Sequence, residues 1–221
     1  MNIFDIIGPV MVGPSSSHTL GAARIGLIAR KLLNDEPYMA IITLYGSFSL
    51  TYQGHGTDKA IVGGILGFSS DDLKIRESFK YAKDIGLQFS FVISSEETEH
   101  PNTVKIDLTG KSGSNISAVA RSVGAGRIEV ISINGSDVLF SCEYDTTIIF
   151  NRDKPGLIAH ISKIFSDFSV NIAFMRVFRK YEGKDAIMVI ETDQKISDDM
   201  LIKLSQTQDV QKVITVPPFM I

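Results

Sequence analysis

A polar run ahead of a predicted helix is the first candidate for chemistry. Residues 15–19 read SSSHT, and the glycines and prolines before them predict a loop with fixed bends. Apolar residues recur with helical spacing over 20–33, so the loop would present three hydroxyls and an imidazole at a helix N-terminus. Unpaired N–H groups and the helix dipole favour an anion there. In the simpler alternative one serine caps the helix and His18 is a surface residue, although a cap does not require three serines and a histidine.

A second motif places a histidine between two glycines, at 54–56 (GHG). The glycines leave the imidazole accessible, and an ordinary histidine pKa of about 6.5 allows proton exchange near neutral pH. Asp58 follows three residues after His55 and is a candidate to orient its ring. Either Thr57 or Asp58 is expected to cap a short helix that starts near Lys59. The alternative is a flexible turn with a solvent-exposed histidine.

The third polar motif, at 100–103 (HPNT), directly precedes a predicted strand. Asn102 offers hydrogen-bond donors and an acceptor together, which suits the carboxylate and the amine of an amino acid. An Asx turn after the proline is the alternative. The sequence has no Gly-x-Ser-x-Gly, Gly-x-Gly-x-x-Gly or Walker motif, and neither His18 nor His55 has metal ligands at a standard spacing.

Composition argues against several classes of partner. The 221-residue chain has a formal net charge of −3 with scattered Lys and Arg, which is not typical of nucleic-acid binding. No apolar run approaches the ~20 residues that cross a bilayer, and no export signal is recognisable, so we expect a cytoplasmic protein without membrane attachment. Cys142 is the only cysteine and is expected to be buried or half-buried. Because one thiol holds neither a zinc site nor an iron–sulfur cluster, we predict no metal site within this chain.

The order of predicted elements indicates an α+β protein with two domains, at 1–144 and 145–221. In the first domain, helices at 20–33 and 71–85 accompany a largely antiparallel sheet, whose strongest hairpin signal is Asn134-Gly135. The second domain has the order βαββαβ, which is the ferredoxin-like pattern.

Two runs of the first domain have weaker signals. Residues 46–52 alternate small and aromatic side chains and are interpreted as a continuation of the strand at 38–45. Residues 110–126 are rich in Gly and Ser and are interpreted as loop and turn ahead of the next strand.

The second half of the chain resembles the ACT domain, a small regulatory module that commonly binds amino acids. The resemblance covers roughly residues 146–216 and rests on the βαββαβ order and on the run DKPGLI at 153–158. It implies an effector site at Arg152, Asp153 and Gly156. Alternatively Gly156 only shapes a turn, and the domain mediates self-association by pairing sheets edge to edge.

The polar motifs together resemble the iron–sulfur-dependent L-serine dehydratases, and specifically their β subunit. The resemblance rests on four runs that are specific in combination and weak singly: FDIIGP at 4–9, GPSSSHT at 13–19, GHGTD at 54–58 and PNT at 101–103. It extends over nearly the whole chain, with the ACT-like part at the end. It implies an N-terminal α/β sandwich-like domain, similar to allosteric substrate-binding domains, followed by the ferredoxin-like ACT domain.

The resemblance also implies a reaction and a partner. The family converts L-serine to pyruvate and ammonia without pyridoxal phosphate, in amino-acid catabolism and gluconeogenesis. A [4Fe–4S] cluster, held by the cysteines of an α subunit, acts on the substrate hydroxyl. The single Cys142 fits that division, so this chain would be active only in a heteromer with the α subunit.

On this basis we assign site residues as a hypothesis. His18 and His55 serve as acid or base or orient the substrate, in an order that the sequence does not give, and Asp58 positions His55. The remaining polar residues would bind the substrate L-serine: Ser15, Ser16, Ser17, Thr19, Thr57, Asn102 and Thr103.

A regulatory subunit without chemistry is the main alternative. The N-terminal half also resembles the allosteric substrate-binding domain of some phosphoglycerate dehydrogenases, which binds an anion. In that case residues 15–19 bind an anion and the ACT-like half senses an amino acid. A stand-alone hydrolase has little support because the sequence has no nucleophile motif.

Overall fold

The structure, a computed structural model, describes residues 13–219. The family-related run at 4–9 and the first loop up to residue 12 lie outside the described residues. Contacts divide the chain into two compact units, one that ends at Gly135 and one that extends from Ser136 to Phe219. The predicted domain boundary after residue 144 stays a prediction. Among the described residues, no helix has the length and apolar character needed to span a membrane.

The first unit combines helices with five neighbouring strands of one sheet. Its helical segments are a π-helical turn (Ser16–Gly21), α1 (Ala22–Leu33), α2 (Gly46–Thr51), α3 (Thr57–Leu66), a 3-10 helix (Leu73–Glu77) and α4 (Ser78–Asp84). Its strands are β1 (Pro37–Leu44), β2 (Gln88–Ile93), β3 (Thr103–Gly110), β4 (Asn115–Gly124) and β5 (Arg127–Ile133). They lie in the order β2-β1-β3-β4-β5, with β1 and β2 parallel and the other neighbours antiparallel.

Strand direction brings several polar segments to one edge of this sheet. Leu44, the last residue of β1, pairs with Val104 near the start of β3. Thr103, in turn, pairs with Arg121 near the end of β4. The chain that leaves β1, the HPNT motif and the end of β4 therefore lie together.

Helices α1 and α3 lie side by side and run in the same direction. Near their N-terminal ends, the Thr19 hydroxyl donates to the carbonyl oxygen of His55 at 3.0 Å. Near their C-terminal ends, an Arg30 guanidinium N–H donates to the carbonyl oxygen of Ile65 at 3.4 Å. The N-terminal ends of both helices, which carry the first two motifs, are therefore adjacent.

Two glycines allow the backbones of α1 and α3 to touch. A Cβ at Gly26 would lie 2.2 Å from the carbonyl oxygen of Ile61, and a Cβ at Gly64 would lie 2.1 Å from that of Ala23. The apolar side chains predicted for one face of α1 are all buried: Ile25, Ile28, Ala29 and Leu32. Burial of this face, together with the glycine contact, fixes the two helices relative to each other.

Several local predictions for the first unit are wrong. The SSSHT run is not a loop, because Ser15 caps a π-helical turn that includes residues 16–19. Residues 46–51 form α2 rather than a continued strand, since Gly46 adopts a φ of +51° and breaks the extended chain. The Gly- and Ser-rich run contains β4, whose alternate residues are buried: Ile116, Ala118, Ala120 and Ser122. The predicted helix at 71–85 divides into the 3-10 helix and α4.

The second unit contains the predicted ferredoxin-like order. Its elements are β6 (Ser136–Phe140), β7 (Asp145–Arg152), α5 (Leu157–Asp167), β8 (Ile172–Arg179), β9 (Asp185–Thr192), α6 (Asp198–Ser205) and β10 (Val210–Val216). From β7 onward the order is βαββαβ, and the antiparallel sheet has the strand order β10-β7-β9-β8. Its buried core includes Ile149 and Met188 of the sheet, Ile161 of α5 and Leu204 of α6. The predicted α+β class is confirmed.

Substitution of Gly64 by alanine should reveal the helix contact. We expect Gly64→Ala to lower the free energy of unfolding of the full chain by about 1–3 kcal/mol, because the new methyl group overlaps backbone atoms of α1. Gly63→Ala is the matched control on the same helix, since its methyl group would meet Ile75 with the side-chain atom Cγ1 at 3.0 Å and the nearest backbone atom, Cα, at an ordinary contact distance of 3.5 Å. Urea unfolding followed by circular dichroism measures both. Equal stability of Gly64→Ala and wild type would contradict this backbone contact.

Candidate functional site

The imidazole of His18 has a hydroxyl at each ring nitrogen. Nδ1 lies 3.3 Å from Ser15 Oγ, and Nε2 lies 3.0 Å from Ser47 Oγ. Ser15 Oγ also accepts the backbone N–H of His18 at 3.1 Å, which is the cap of the π-helical turn. Phe48, which is buried, packs edge-on against the ring at a centroid distance of 5.4 Å. The ring is therefore fixed by two hydrogen-bond partners and an apolar neighbour.

The first two motifs meet at their histidines. The ring centroids of His18 and His55 are 4.7 Å apart, with an angle of 70° between the ring planes. Both residues are half-buried. Burial lowers the pKa of His18, and the adjacent His55 lowers it further because two imidazolium ions would repel each other. A lowered pKa leaves His18 neutral at pH 7, so that its ring has one donor and one acceptor nitrogen.

Asp58 does not make the predicted contact with His55. Its Oδ1 accepts the backbone N–H of Lys59 at 2.7 Å, and burial raises the pKa of its carboxyl group. The Nδ1 atom of His55 is buried and has no hydrogen-bond partner among the described residues. The expected helix cap is also wrong, because α3 begins after Gly56, which has a φ of +67° and no side chain to donate or accept.

Three of the predicted substrate-binding hydroxyls already form hydrogen bonds to other groups of this chain. Thr19 donates to the carbonyl oxygen of His55, and Thr103 donates to that of His100 at 2.6 Å; both threonines are buried. The hydroxyl of Ser15 is hydrogen-bonded to both the backbone N–H and the ring of His18. The geometry therefore gives these three residues a structural part in the site, whereas Ser16 and Ser17 lie half-buried in the π-helical turn.

Other buried polar atoms near the sheet edge have no partner among the described residues. They are Oδ1 of Asn102, Oγ1 of Thr57 and Oγ of Ser122. Ser122 adjoins the third motif, since its backbone N–H donates to the carbonyl oxygen of Asn102 at 3.0 Å. Buried atoms without partners are uncommon in folded proteins and are typical of sites completed by a ligand.

Ser47 and Ser122 were not among the predicted site residues. Ser47 lies in the run at 46–52 whose pattern favours a continued strand, and the preceding Gly46 is the signal that could have indicated a strand end there. Ser122 lies in β4, which the sequence did not predict, so its position had no signal. A cleft of about 370 Å³ opens beside α2, and its walls include Gly46 and Pro101 but neither His18 nor His55.

The donor set of this chain does not fit an iron–sulfur cluster. The described residues contain no group of three or more His, Cys, Asp or Glu that could hold a metal ion. Cys142 is a free, buried cysteine, as predicted, and burial raises the pKa of its thiol. Clusters of this kind need three or four thiolates, so one inert thiol does not supply a site.

The predicted effector residues of the second unit differ in accessibility. Gly156 precedes α5 with a φ of +87°, and a Cβ there would meet nothing within 4 Å. Asp153 accepts from Arg179 at 2.6 Å, which lowers the pKa of its carboxyl group. Arg152 pairs with Asp185 at 3.1 Å. The backbone at Gly156 is open to a ligand, while both charged side chains already have partners.

Comparisons with known proteins give the family of the chain. A family model described as the serine dehydratase beta chain matches residues 2–89, and the ACT domain model matches residues 146–206. The "Probable L-serine dehydratase, beta chain" of Bacillus subtilis is 42% identical over 212 residues, which are 96% of each chain. The chain belongs to the L-serine dehydratase beta-chain family. The L-serine dehydratase beta chain of Peptoniphilus asaccharolyticus is also similar to this beta chain, with 34% identity over 89% of each chain.

Most of this beta chain is also similar in sequence to part of a dehydrogenase. The D-3-phosphoglycerate dehydrogenase of Bacillus subtilis is 26% identical over 87% of this beta chain, which corresponds to 36% of the dehydrogenase. The predicted resemblance to serine dehydratase beta chains is confirmed. The histidine pair and Ser47 lie within the part of this beta chain that the family model matches, whereas Asn102 and Ser122 lie outside it.

Removal of the second imidazole should raise the pKa of His18. We expect the ring of His18 in His55→Gln to titrate at a higher pH than in wild type, because one of the two causes that lower its pKa is gone. NMR titration of the histidine ring protons in this beta chain measures the shift. His160→Gln, which changes an exposed histidine of α5, is the control and should leave the pKa of His18 unchanged. An unchanged His18 titration in His55→Gln would contradict the electrostatic coupling.

Proposed function

We propose that this chain is the β subunit of an enzyme that converts L-serine to pyruvate and ammonia. The proposal includes a separate α subunit that holds a [4Fe–4S] cluster. The observation that carries it is the His18–His55 pair, with ring centroids 4.7 Å apart, in a chain of the serine dehydratase beta-chain family. The lone, buried Cys142 supports placing the cluster on another chain.

The reaction needs a group that takes a proton from carbon. The α-proton of an amino acid is weakly acidic, so its removal requires a neutral base held close to it. When bound to the partner, the cluster supplies a Lewis acid for the substrate hydroxyl. From this chain, one imidazole of the histidine pair accepts the α-proton while the other orients the substrate. The lowered pKa of His18 supports a neutral imidazole at pH 7.

Recognition of the substrate falls to polar side chains, two of which have a buried atom without a partner among the described residues. Oδ1 of Asn102 is an acceptor and suits the substrate ammonium group. Ser16 and Ser17 are half-buried hydroxyls in the turn ahead of α1, and they suit the carboxylate. Thr57 adds a buried hydroxyl at the start of α3. In the second unit, the open backbone at Gly156 supports an amino-acid effector site.

A second candidate is a regulatory subunit that binds an anion or amino acid and performs no chemistry. It is favoured by the similarity of 87% of this chain to a protein named for another reaction, D-3-phosphoglycerate dehydrogenase. Calorimetry of L-serine with the isolated chain, and turnover of the α chain with and without it, distinguish the two. An α chain that turns over L-serine fully by itself would favour the regulatory subunit.

Loss of the His55 imidazole should abolish most turnover. In a complex reconstituted with the α chain, we expect His55→Ala to lower kcat/KM by about 10²–10⁴-fold, the usual contribution of a positioned acid or base. The visible absorbance of the cluster should stay unchanged, because this chain supplies no thiolate set.

The matched control for that experiment is His160→Ala, which removes an exposed histidine of the second unit. The complex reconstituted with this variant should have the wild-type kcat/KM for L-serine. Wild-type kcat/KM in His55→Ala would remove this residue from the catalytic assignment.

A further inference from the structure

We propose that Ser47 is a positioning residue that holds His18 as the neutral tautomer with hydrogen on Nε2. In this arrangement His18 orients the site and His55 is the imidazole that takes the α-proton. The inference deepens the proposed function and depends on it for the chemical roles. The tautomer itself is a property of the isolated chain and is tested separately.

The backbone around Ser47 is fixed on both sides. Its N–H donates to the carbonyl oxygen of Pro101 at 2.7 Å, and its C=O accepts the hydroxyl of Thr51 at 2.8 Å. Gly46 has a φ of +51°, and a Cβ there would lie 2.6 Å from the Pro101 carbonyl oxygen. The hydroxyl of Ser47 therefore reaches Nε2 of His18 from a backbone that has little freedom to move.

The surroundings of the other ring nitrogen indicate which one carries the hydrogen. Ser15 Oγ already accepts the backbone N–H of His18. If Nδ1 also carried hydrogen, two N–H groups of one residue would converge on this oxygen, close to the unpaired N–H groups that begin the helical segment. A lone pair on Nδ1 that accepts the Ser15 hydroxyl hydrogen avoids this repulsion. The ring hydrogen then lies on Nε2 and is donated to Ser47 Oγ at 3.0 Å.

This tautomer separates the roles of the two histidines. Both nitrogens of His18 are engaged with hydroxyls, so His18 has no lone pair directed to a substrate. Nδ1 of His55 is buried and has no hydrogen-bond partner among the described residues, so His55 is the imidazole of the pair that has a nitrogen left for a ligand. In the proton-transfer step, the Cα–H bond of L-serine breaks and its proton moves to the imidazole of His55. The electron pair of that bond forms the Cα=Cβ bond, and the Cβ–O bond breaks with hydroxide as the leaving group. The cluster proposed for the α subunit would supply a Lewis acid for this oxygen.

The first test is the tautomer of His18 in the isolated full chain. Long-range ¹H–¹⁵N NMR should show a protonated Nε2 in wild type and in Ser47→Thr, which keeps the hydroxyl. In Ser47→Ala the ¹⁵N shifts of the ring should move toward the average of the two tautomers. Ser49→Ala is the matched control on the same helix, because its half-buried hydroxyl donates to the Gly46 carbonyl oxygen and should leave the His18 shifts unchanged. A protonated Nδ1 in wild type overturns the proposal without any variant, and so do unchanged shifts in Ser47→Ala.

The second test uses the complex with the α chain. We expect Ser47→Ala to lower kcat/KM about tenfold, the effect of one hydrogen bond, with Ser47→Thr restoring it and Ser49→Ala at the wild-type value. Wild-type kcat/KM in Ser47→Ala would overturn the link between the tautomer and the reaction. An inactive wild-type complex would count against the proposed function, whereas the NMR result would still decide the tautomer.

Discussion

The close contact between α1 and α3 is the constraint on which the first unit depends. Helices whose backbones touch at Gly26 and Gly64 cannot rotate or slide without overlap of backbone atoms. Because the helices run in the same direction, this contact places their N-terminal ends together at the sheet edge where β1 ends. Two histidines from distant motifs become neighbours as a result, and no direct bond between their rings is needed to hold them there.

The partners of the histidine pair are suited to neutral rings. A carboxylate beside His18 would raise its pKa and favour imidazolium, whereas a hydroxyl accepts from or donates to a neutral ring with equal ease. The described contacts follow that pattern, since Ser15 and Ser47 meet His18 while Asp58 bonds to the backbone of its own helix. Burial and the second imidazole then lower the pKa of His18, without opposition from an anion among the described residues.

The order of elements in the second unit could be predicted because it depends on apolar periodicity and on glycine and proline positions. The grouping of the polar motifs followed from the family resemblance, and their individual contacts could not be predicted. A spacing of three residues brings side chains together only within one helix, and Gly56, with its left-handed φ, separates His55 from the helix that carries Asp58. Ser47 was missed because short alternating runs do not distinguish a strand from one helical turn. Ser15 and Thr19 were predicted as ligand groups, but a π-helical turn directs them to His18 and His55.

The site residues fall into two groups, according to whether their polar atoms already have hydrogen-bond partners within the chain. A buried polar atom without a partner costs about 1–3 kcal/mol, so a fold retains such atoms where something else supplies the missing bond. Thr19 and Thr103, whose hydroxyls are satisfied, connect segments of the chain to one another. Oδ1 of Asn102, Oγ1 of Thr57 and Nδ1 of His55 have no partner among the described residues, and they come from segments that converge on the same edge of the sheet. Donors and acceptors of this kind suit a small polar ligand.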